Sequence, residues 1–463
     1  MTLLRMLKNF GANESGAVLP LLGIGLAAVV GVAGLGVDSA RSQMVQSKLT
    51  AAIDAAGLAA GANISTTNAK AEVEKYVHSN FPPAYLGAKI TWVDVQVSTD
   101  NSVIKVSATA DVPTTFMNAF GFSKLTVEAN NEIKRTNKGL ELAMVLDNTG
   151  SMSDDMDTLK SAANELLKSL YGSRTSIDNL YIGLVPFSQG VNIGSHRTSW
   201  IDTAYKDSLH WGPTSWGGCV MARVASGRDK TEDTPDKEKF KAYYWPDDDD
   251  NNNWITNAKK IDDLKDDEYA GNIGATIGPN KNCPTEITPL TRNRATIESA
   301  ISAMQARGVT HINDGAVWGW YMLSPDWRDK WGGEMDTLKL PLNYGTKLMV
   351  KAMVLMTDGD NVINDDARGS YGYLYEGLLG TTDRGTAEKR LDDRLKTVCK
   401  NMKNKGVLIY AVGFGSMSNS TLKMLRDNCA SQPDYYFHAT NKDALTTAFK
   451  QIGDSLANLR VSR

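Results

Sequence analysis

A chain of 463 residues has room for two or three domains, and its 42% hydrophobic content is enough to build packed cores. The net charge is −3, and no basic stripe with interleaved aromatics occurs, so a nucleic-acid function is set aside. The four cysteines form no C-x-x-C pair and have only five His to assist them, which argues against a structural zinc site.

The first element is apolar. The stretch 17–37, AVLPLLGIGLAAVVGVAGLGV, holds no charged residue. As a helix it would span roughly 30 Å, the thickness of a bilayer's hydrocarbon core. Pro20 falls in the first turn, where a missing N–H costs little. Arg5 and Lys8 precede the stretch, so residues 1–16 are expected in the cytoplasm and the bulk of the chain outside it. A cleaved signal peptide would have a shorter apolar region, of about 7–15 residues, and a small-residue exit site. The sequence VAG near Val32 is a poor version of that exit, so a retained anchor is expected. The helical pattern then runs on through DSARSQMVQSKLTAAIDAAGLAAGA, with Leu49, Ile53 and Leu58 at helical spacing. That face fits either packing on its own domain or a stalk that also meets partner helices.

The block from Gly16 to Gly61 resembles the N-terminal region of TadG-like proteins of the tight-adherence (Flp pilus) assembly system. Gly16, Val37, Asp38, Arg41, Leu49, Asp54, Ala55, Ala56, Leu58 and Ala59 carry the likeness. The C-terminal LANLRVSR is similar as well. The resemblance implies a single-pass protein of a bacterial inner membrane, with an extracytoplasmic bulk and other Tad/Flp pilus components as partners. Related pseudopilins carry a Glu where Leu21 stands here, which argues against processing at Gly16.

Residues 38–138 read as the stalk helix followed by a small β-rich spacer. The pattern predicts a helix over 68–79 and alternating strands at 90–98, 102–112 and 125–133, with a turn at Asp100–Asn101. No chemistry is visible there. A linker, KRTNKG, covers Lys134–Gly139.

From Leu140 the organisation changes. LELAMVLD is an apolar run closing on a carboxylate, as a buried parallel strand does. Further strands are expected at 179–188, 348–359, 406–415 and 435–437. Helices are expected near 155–171, 291–306, 384–404, 418–428 and 441–459. This alternation predicts an α/β fold for 139–463, with a doubly wound, mostly parallel sheet. Ligands in such folds bind at the carboxyl ends of the strands, where Asp147 and Asp358 fall. In D-N-T-G-S the oxygens of Asp147, Thr149 and Ser151 alternate and can turn to one point, with Gly150 permitting a sharp turn. A second loop, G-V-T-H, offers Thr310, and a third, T-D-G, offers Asp358. Two carboxylates and three hydroxyls make an oxygen-only set suited to Mg²⁺, or to Ca²⁺ or Mn²⁺. Such a site leaves the ion partly unneutralised, with a coordination position for a carboxylate from a protein partner.

These three motifs, in this order, resemble the metal-ion-dependent adhesion site (MIDAS) of von Willebrand factor A-type domains, Thr149 replacing the first Ser of D-x-S-x-S. The resemblance covers about 139–463. It implies a metal held by Asp147, Thr149, Ser151, Thr310 and Asp358, and a function in cell adhesion or pilus assembly without catalysis. The spacing to Asp154 and Asp155 resembles the adjacent metal site of integrin β-chain domains. Two acids in the first turn of a helix fit that spacing equally, because the helix dipole favours them there.

The segment at about 190–290 is an insertion. It carries Trp200, Trp211, Trp216, Trp245 and Trp254 and the acidic runs DDDDNNN and DDLKDDE. The acidic run DDDDNNN lacks the Gly and closing Glu of an EF-hand loop, so a solvated surface is expected. The aromatics are expected to form the insertion's own small core. In an exported domain the even cysteine count suits disulfides. Proximity pairs Cys219 with Cys283 and Cys399 with Cys429, one of three connectivities.

Enzyme readings fare less well. D-N-T-G-S resembles the aspartyl-phosphate loop of P-type ATPases, which would make Asp147 the nucleophile of a Mg²⁺-dependent phosphohydrolase. Asn148 stands where that loop has Lys, and the chain has one apolar span. A purely structural envelope role is the remaining alternative.

Overall fold

In a computed structural model the chain divides into two compact units, Met1–Arg135 and Thr136–Arg463. The structure describes residues 18–61, 69–98, 103–134, 138–212, 214–246, 252 and 277–461. The N-terminus with Gly16, the Asp100–Asn101 turn, Trp254 and all of both acidic runs except Asn252 lie outside these residues.

The first unit begins with one continuous helix, α1 (Val18–Gly61), the only described helix long and apolar enough to cross a membrane. Helix α2 (Ala69–Asn80) follows. Strands β1 (Lys89–Val97), β2 (Val103–Pro113) and β3 (Lys124–Lys134) form an antiparallel meander. Strand β2 alternates as its sequence does, burying Ile104, Val106, Ala108, Ala110 and Val112 on one face. Val45, Leu49, Ala52, Ile53 and Ala56 recur at helical spacing on α1 and close that core. Leu49 and Ile53 therefore pack on their own unit, whereas Leu58 is 70% exposed.

The second unit opens with β4 (Gly139–Asp147), α3 (Met156–Tyr171) and β5 (Leu180–Phe187). Then come β6 (Thr288–Thr291), α4 (Arg294–Ala303), α5 (Ile312–Leu323) and β7 (Met349–Thr357). Helix α6 (Arg384–Asn404), β8 (Leu408–Phe414), a short helix over Asn419–Met424, β9 (Tyr436–Ala439) and α7 (Lys442–Val461) follow. The sheet order is β6-β5-β4-β7-β8-β9. It is mixed: β6 runs antiparallel at one edge and the other pairings are parallel.

Each central strand is buried on both faces, which is why its sequence is continuously apolar. Leu142, Met144 and Leu146 face α3, α4 and α7, while Ala143 and Val145 face α5 and α6. Glu141 breaks the apolar run of β4. It is fully buried, paired with Lys351 of β7, and its Oε1 accepts the Leu342 N–H at 2.7 Å. Helix α6 starts at Asp383, whose Oδ1 accepts the Thr386 N–H at 2.9 Å. Asp383→Ala is expected to destabilise the unit, read as a lower urea midpoint with an unchanged slope.

Both disulfides join the pairs that proximity suggests, Cys219–Cys283 and Cys399–Cys429. The insertion departs from expectation, because its aromatics are not a core of their own. Trp200 and Phe240 join Trp318 and Tyr321 of α5 together with Trp327 and Trp331 in one cluster, with ring centroids 4.5–6.4 Å apart. Trp216 belongs to the same core, and Trp245 packs with the Cys219–Cys283 bridge and Tyr373.

Candidate functional site

Parallel pairing of β4 with β7 sets Leu146 beside Met356, so Asp147 and Thr357 end neighbouring strands together. Asp147 is fully buried. Its Oδ1 accepts the Thr149 N–H at 2.8 Å and its Oδ2 accepts the Thr357 hydroxyl at 2.6 Å. Ser151 donates to Asp358 Oδ1 at 2.8 Å, and the Thr149 hydroxyl lies 2.9 Å from that of Ser151 and 3.5 Å from Asp358 Oδ1. Four of the five expected residues thus share one hydrogen-bonded cluster.

Thr310 lies beside the cluster and, among the described residues, makes no hydrogen bond to the other four. Its carbonyl accepts the Val362 N–H at 2.9 Å, and a Cβ on Gly359 would stand 3.6 Å from its hydroxyl. The first and second loops are tied directly, Gly150 N–H to Gly308 O at 2.9 Å and Arg307 N–H to Asn148 O at 2.7 Å. Gly150 is needed for this approach rather than for a left-handed turn, since a Cβ there would stand 3.3 Å from the Gly308 carbonyl. The positive φ, +76°, belongs to Gly308.

Two holders were not singled out from the sequence. One is Thr357, named there only as part of T-D-G. The other is Gln189, whose buried side-chain oxygen accepts the Val309 N–H at 3.0 Å and whose carbonyl accepts that of Ser370 at 2.7 Å. A polar residue just beyond a buried strand end was the available signal for Gln189.

Asp154 is exposed, and Asp155 pairs with Lys442 at 3.1 Å, so a cationic side chain already answers Asp155. The residues Asp154 and Asp155 do not join the shared cluster.

Electrostatically the cluster is short of positive charge. Burial pushes Asp147 up to about 7, and the charge of Asp358 adds to this; Thr149 and Thr357 pull the other way. Asp358 is raised as well, chiefly by burial. Neither carboxylate takes part in any ion pair among the described residues, and no cluster there gathers three His, Cys, Asp or Glu. A divalent cation fits this set: the donors are hard oxygens, the charge it brings is the charge that is missing, and the remaining ligands must be hydroxyls, water or a foreign carboxylate. Ser151 is exposed and Asp358 partly so, which opens the cluster to solvent on their side.

Behind the site lies a buried polar network. Asn313 donates to Tyr371 Oη at 2.6 Å, Tyr371 to Asp229 Oδ2 at 3.1 Å, and Arg394 Nε to the same oxygen at 2.6 Å. Burial raises Asp314 to about 7, against a hydrogen bond from Ser370 and with help from Asp229. A folded carboxyl that keeps its proton where the unfolded one has lost it lowers stability as pH rises from about 4 to about 7. Asp314→Asn is expected to flatten that part of the curve, measured by urea unfolding across the range.

No family model matches the chain, and no curated protein is significantly similar to it. Solved structures similar to it include the pilus adhesin SpaC of Lactobacillus rhamnosus GG, at 13% identity over 81% of this chain and 35% of that one, with a TM-score of 0.36. The vWF domain of the type V pili tip protein Mfa5 of Porphyromonas gingivalis is similar at 11% identity, covering 71% of this chain and 97% of that one, TM-score 0.36. A von Willebrand factor type A protein of Catenulispora acidiphila is similar at 11% identity over 80% and 50%, TM-score 0.31. The chain thus spans about a third of SpaC and half of the Catenulispora protein. Likeness this distant transfers no function.

Proposed function

We propose that the second unit is a von Willebrand A-type, metal-dependent binding domain. In this reading Asp147, Thr149, Ser151, Thr310 and Asp358 hold a divalent cation, Mg²⁺ foremost, and through it a carboxylate of a protein partner. Helix α1 anchors the chain in a bacterial inner membrane with its bulk outside the cytoplasm, and the work is Flp/Tad pilus assembly or surface adhesion, as a TadG-like protein.

One observation carries the proposal: two strand-end carboxylates, with no cationic side chain paired to either among the described residues, are each held by hydroxyls in one cluster that opens to solvent at Ser151 and Asp358. A bound cation would supply positive charge and an open coordination position there. The chain's own residues do the rest. Thr357 and the Thr149 N–H fix the Asp147 carboxylate, Ser151 aligns Asp358, and the Gly308 carbonyl holds the first loop against the second. The phosphohydrolase alternative needs Asp147 as an exposed nucleophile, whereas it is fully buried and both its oxygens accept hydrogen bonds.

The test is recovery of cross-linked envelope proteins on the full chain with Mg²⁺ and with EDTA. Partners that depend on Mg²⁺ and are lost with Asp358→Asn are expected. Equal recovery in EDTA sinks the proposal. A variant that melts early yet still binds its partners would instead assign the site a structural role.

A further inference from the structure

The loop joining β2 to β3, residues 114–123, reads TTFMNAFGFS and stands beside α1. Asp38 marks where they meet. Its carboxylate is 2% exposed and accepts the N–H groups of Thr115, Phe116 and Met117 at 2.8–2.9 Å. Arg41 donates to the Thr115 hydroxyl at 2.8 Å on the same level. From there the loop turns back along the apolar part of the helix. Phe116 lies so close to Gly34 that a Cβ on that glycine would meet its ring at 2.5 Å, and the Phe120 ring would stand 3.4 Å from a Cβ on Gly31. Even so, Phe116 is 39% exposed, Phe120 64% and Phe122 59%.

The neighbouring helix surface is equally bare: Ile24, Leu26, Val29 and Val32 are 67–71% exposed. Three phenylalanines and an apolar helix thus form one continuous uncovered surface, beginning where Asp38 and Arg41 end the polar one.

We propose that this loop is immersed in the bilayer that α1 spans, in the leaflet from which the helix emerges at Asp38, with Phe120 and Phe122 among the acyl chains. The proposal rests on the anchor reading of α1. Given that anchor, the depth follows from helix geometry, because Gly31 lies about 10 Å along the axis from Asp38, inside the near half of a core about 30 Å thick. A ring against Gly31 is carried to that depth.

A second observation agrees. Backbone that is not helical survives among lipid only when its polar groups are satisfied internally. The N–H groups of Thr115, Phe116 and Met117 are taken by Asp38, while those of Thr114, Ala119, Gly121 and Phe122 reach carbonyls of the same loop at 3.1–3.2 Å. The loop presents apolar rings outward and keeps these donors inward, and each buried aromatic adds to attachment without a second helix.

The four native cysteines form two disulfides, so an introduced thiol labels selectively. The full chain would carry Phe120→Cys, Phe122→Cys, Leu26→Cys or Asn130→Cys, each labelled with an environment-sensitive fluorophore. Vesicles of phosphatidylethanolamine and phosphatidylglycerol would receive doxyl-labelled phospholipid or aqueous dithionite. Labels at 120, 122 and 26 are expected to emit to the blue, to be quenched by doxyl lipid, and to react with dithionite more slowly than that at 130 by an order of magnitude or more. Labels at 120 and 122 that react as fast as that at 130, while 26 stays protected, overturn the proposal and leave the anchor standing. Labels shielded from both quenchers also overturn it, assigning the surface to another protein chain. A reactive label at 26 removes the anchor and the proposal together.

Discussion

Asp147→Asn is expected to reverse the sign of its effect on stability when a divalent cation is added. Without metal, the native chain holds a buried carboxylate beside that of Asp358, with both pKa values pushed up by burial. The amide removes a charge that burial disfavours, and it can still accept from the Thr149 N–H and meet the Thr357 hydroxyl. In EDTA at pH 8 the variant is therefore expected to unfold at higher denaturant than the native chain. With Mg²⁺ at a hundred times its dissociation constant, the native chain gains about 2.7 kcal/mol by mass action and the variant gains close to nothing. Urea unfolding with and without Mg²⁺ reads both effects. Equal Mg²⁺ responses in the two proteins would remove Asp147 from any metal site.

Lys351→Met is expected to cost about 3–5 kcal/mol, because it strands Glu141 as an uncompensated charge in the sheet. The lysine ammonium also donates to the Leu323 carbonyl at 3.0 Å, and burial lowers its pKa. Adding Glu141→Leu is expected to restore much of the loss, since two apolar side chains leave no unpaired charge; the orphaned Leu342 N–H limits the recovery. Glu141 lies six residues before Asp147 on β4, or about 20 Å along the strand. The Mg²⁺ response of the folded fraction should thus be unchanged. A cost under 1 kcal/mol would show that the pair is not buried as described.

Strands β4, β5, β7 and β8 were legible because each is covered on both faces and reads as a nearly unbroken apolar run. Helix α5 was not, for a related reason. All twelve of its residues, INDGAVWGWYML, are buried, so no polar face marks a helical period. Gly315 and Gly319 add to the disguise. They lower helix propensity, yet they are there because Phe187 approaches one and Val145 and Met353 the other. Strand β6 escaped because it has four residues, one of them Pro289, a composition tolerated only at a sheet edge. Within the site, the ligand types stand in the sequence in order. Thr357 could not be ranked there, because its role depends on strand register. The Phe116–Phe122 loop was silent too, since only the fold lays it along α1.

The contact of Trp200 with Trp318 and the bond of Arg394 to Asp229 bear on how this unit could be shortened. Residues 190–290 look like an ornament that could be excised and the ends rejoined. Excision would remove the Asp229 carboxylate from Arg394 and Tyr371 and strip aromatic cover from the helix that follows Thr310. The excursion is thus a structural wall of the domain, and a trimmed version would have to be rebuilt along that seam before it could serve as a soluble binding reagent.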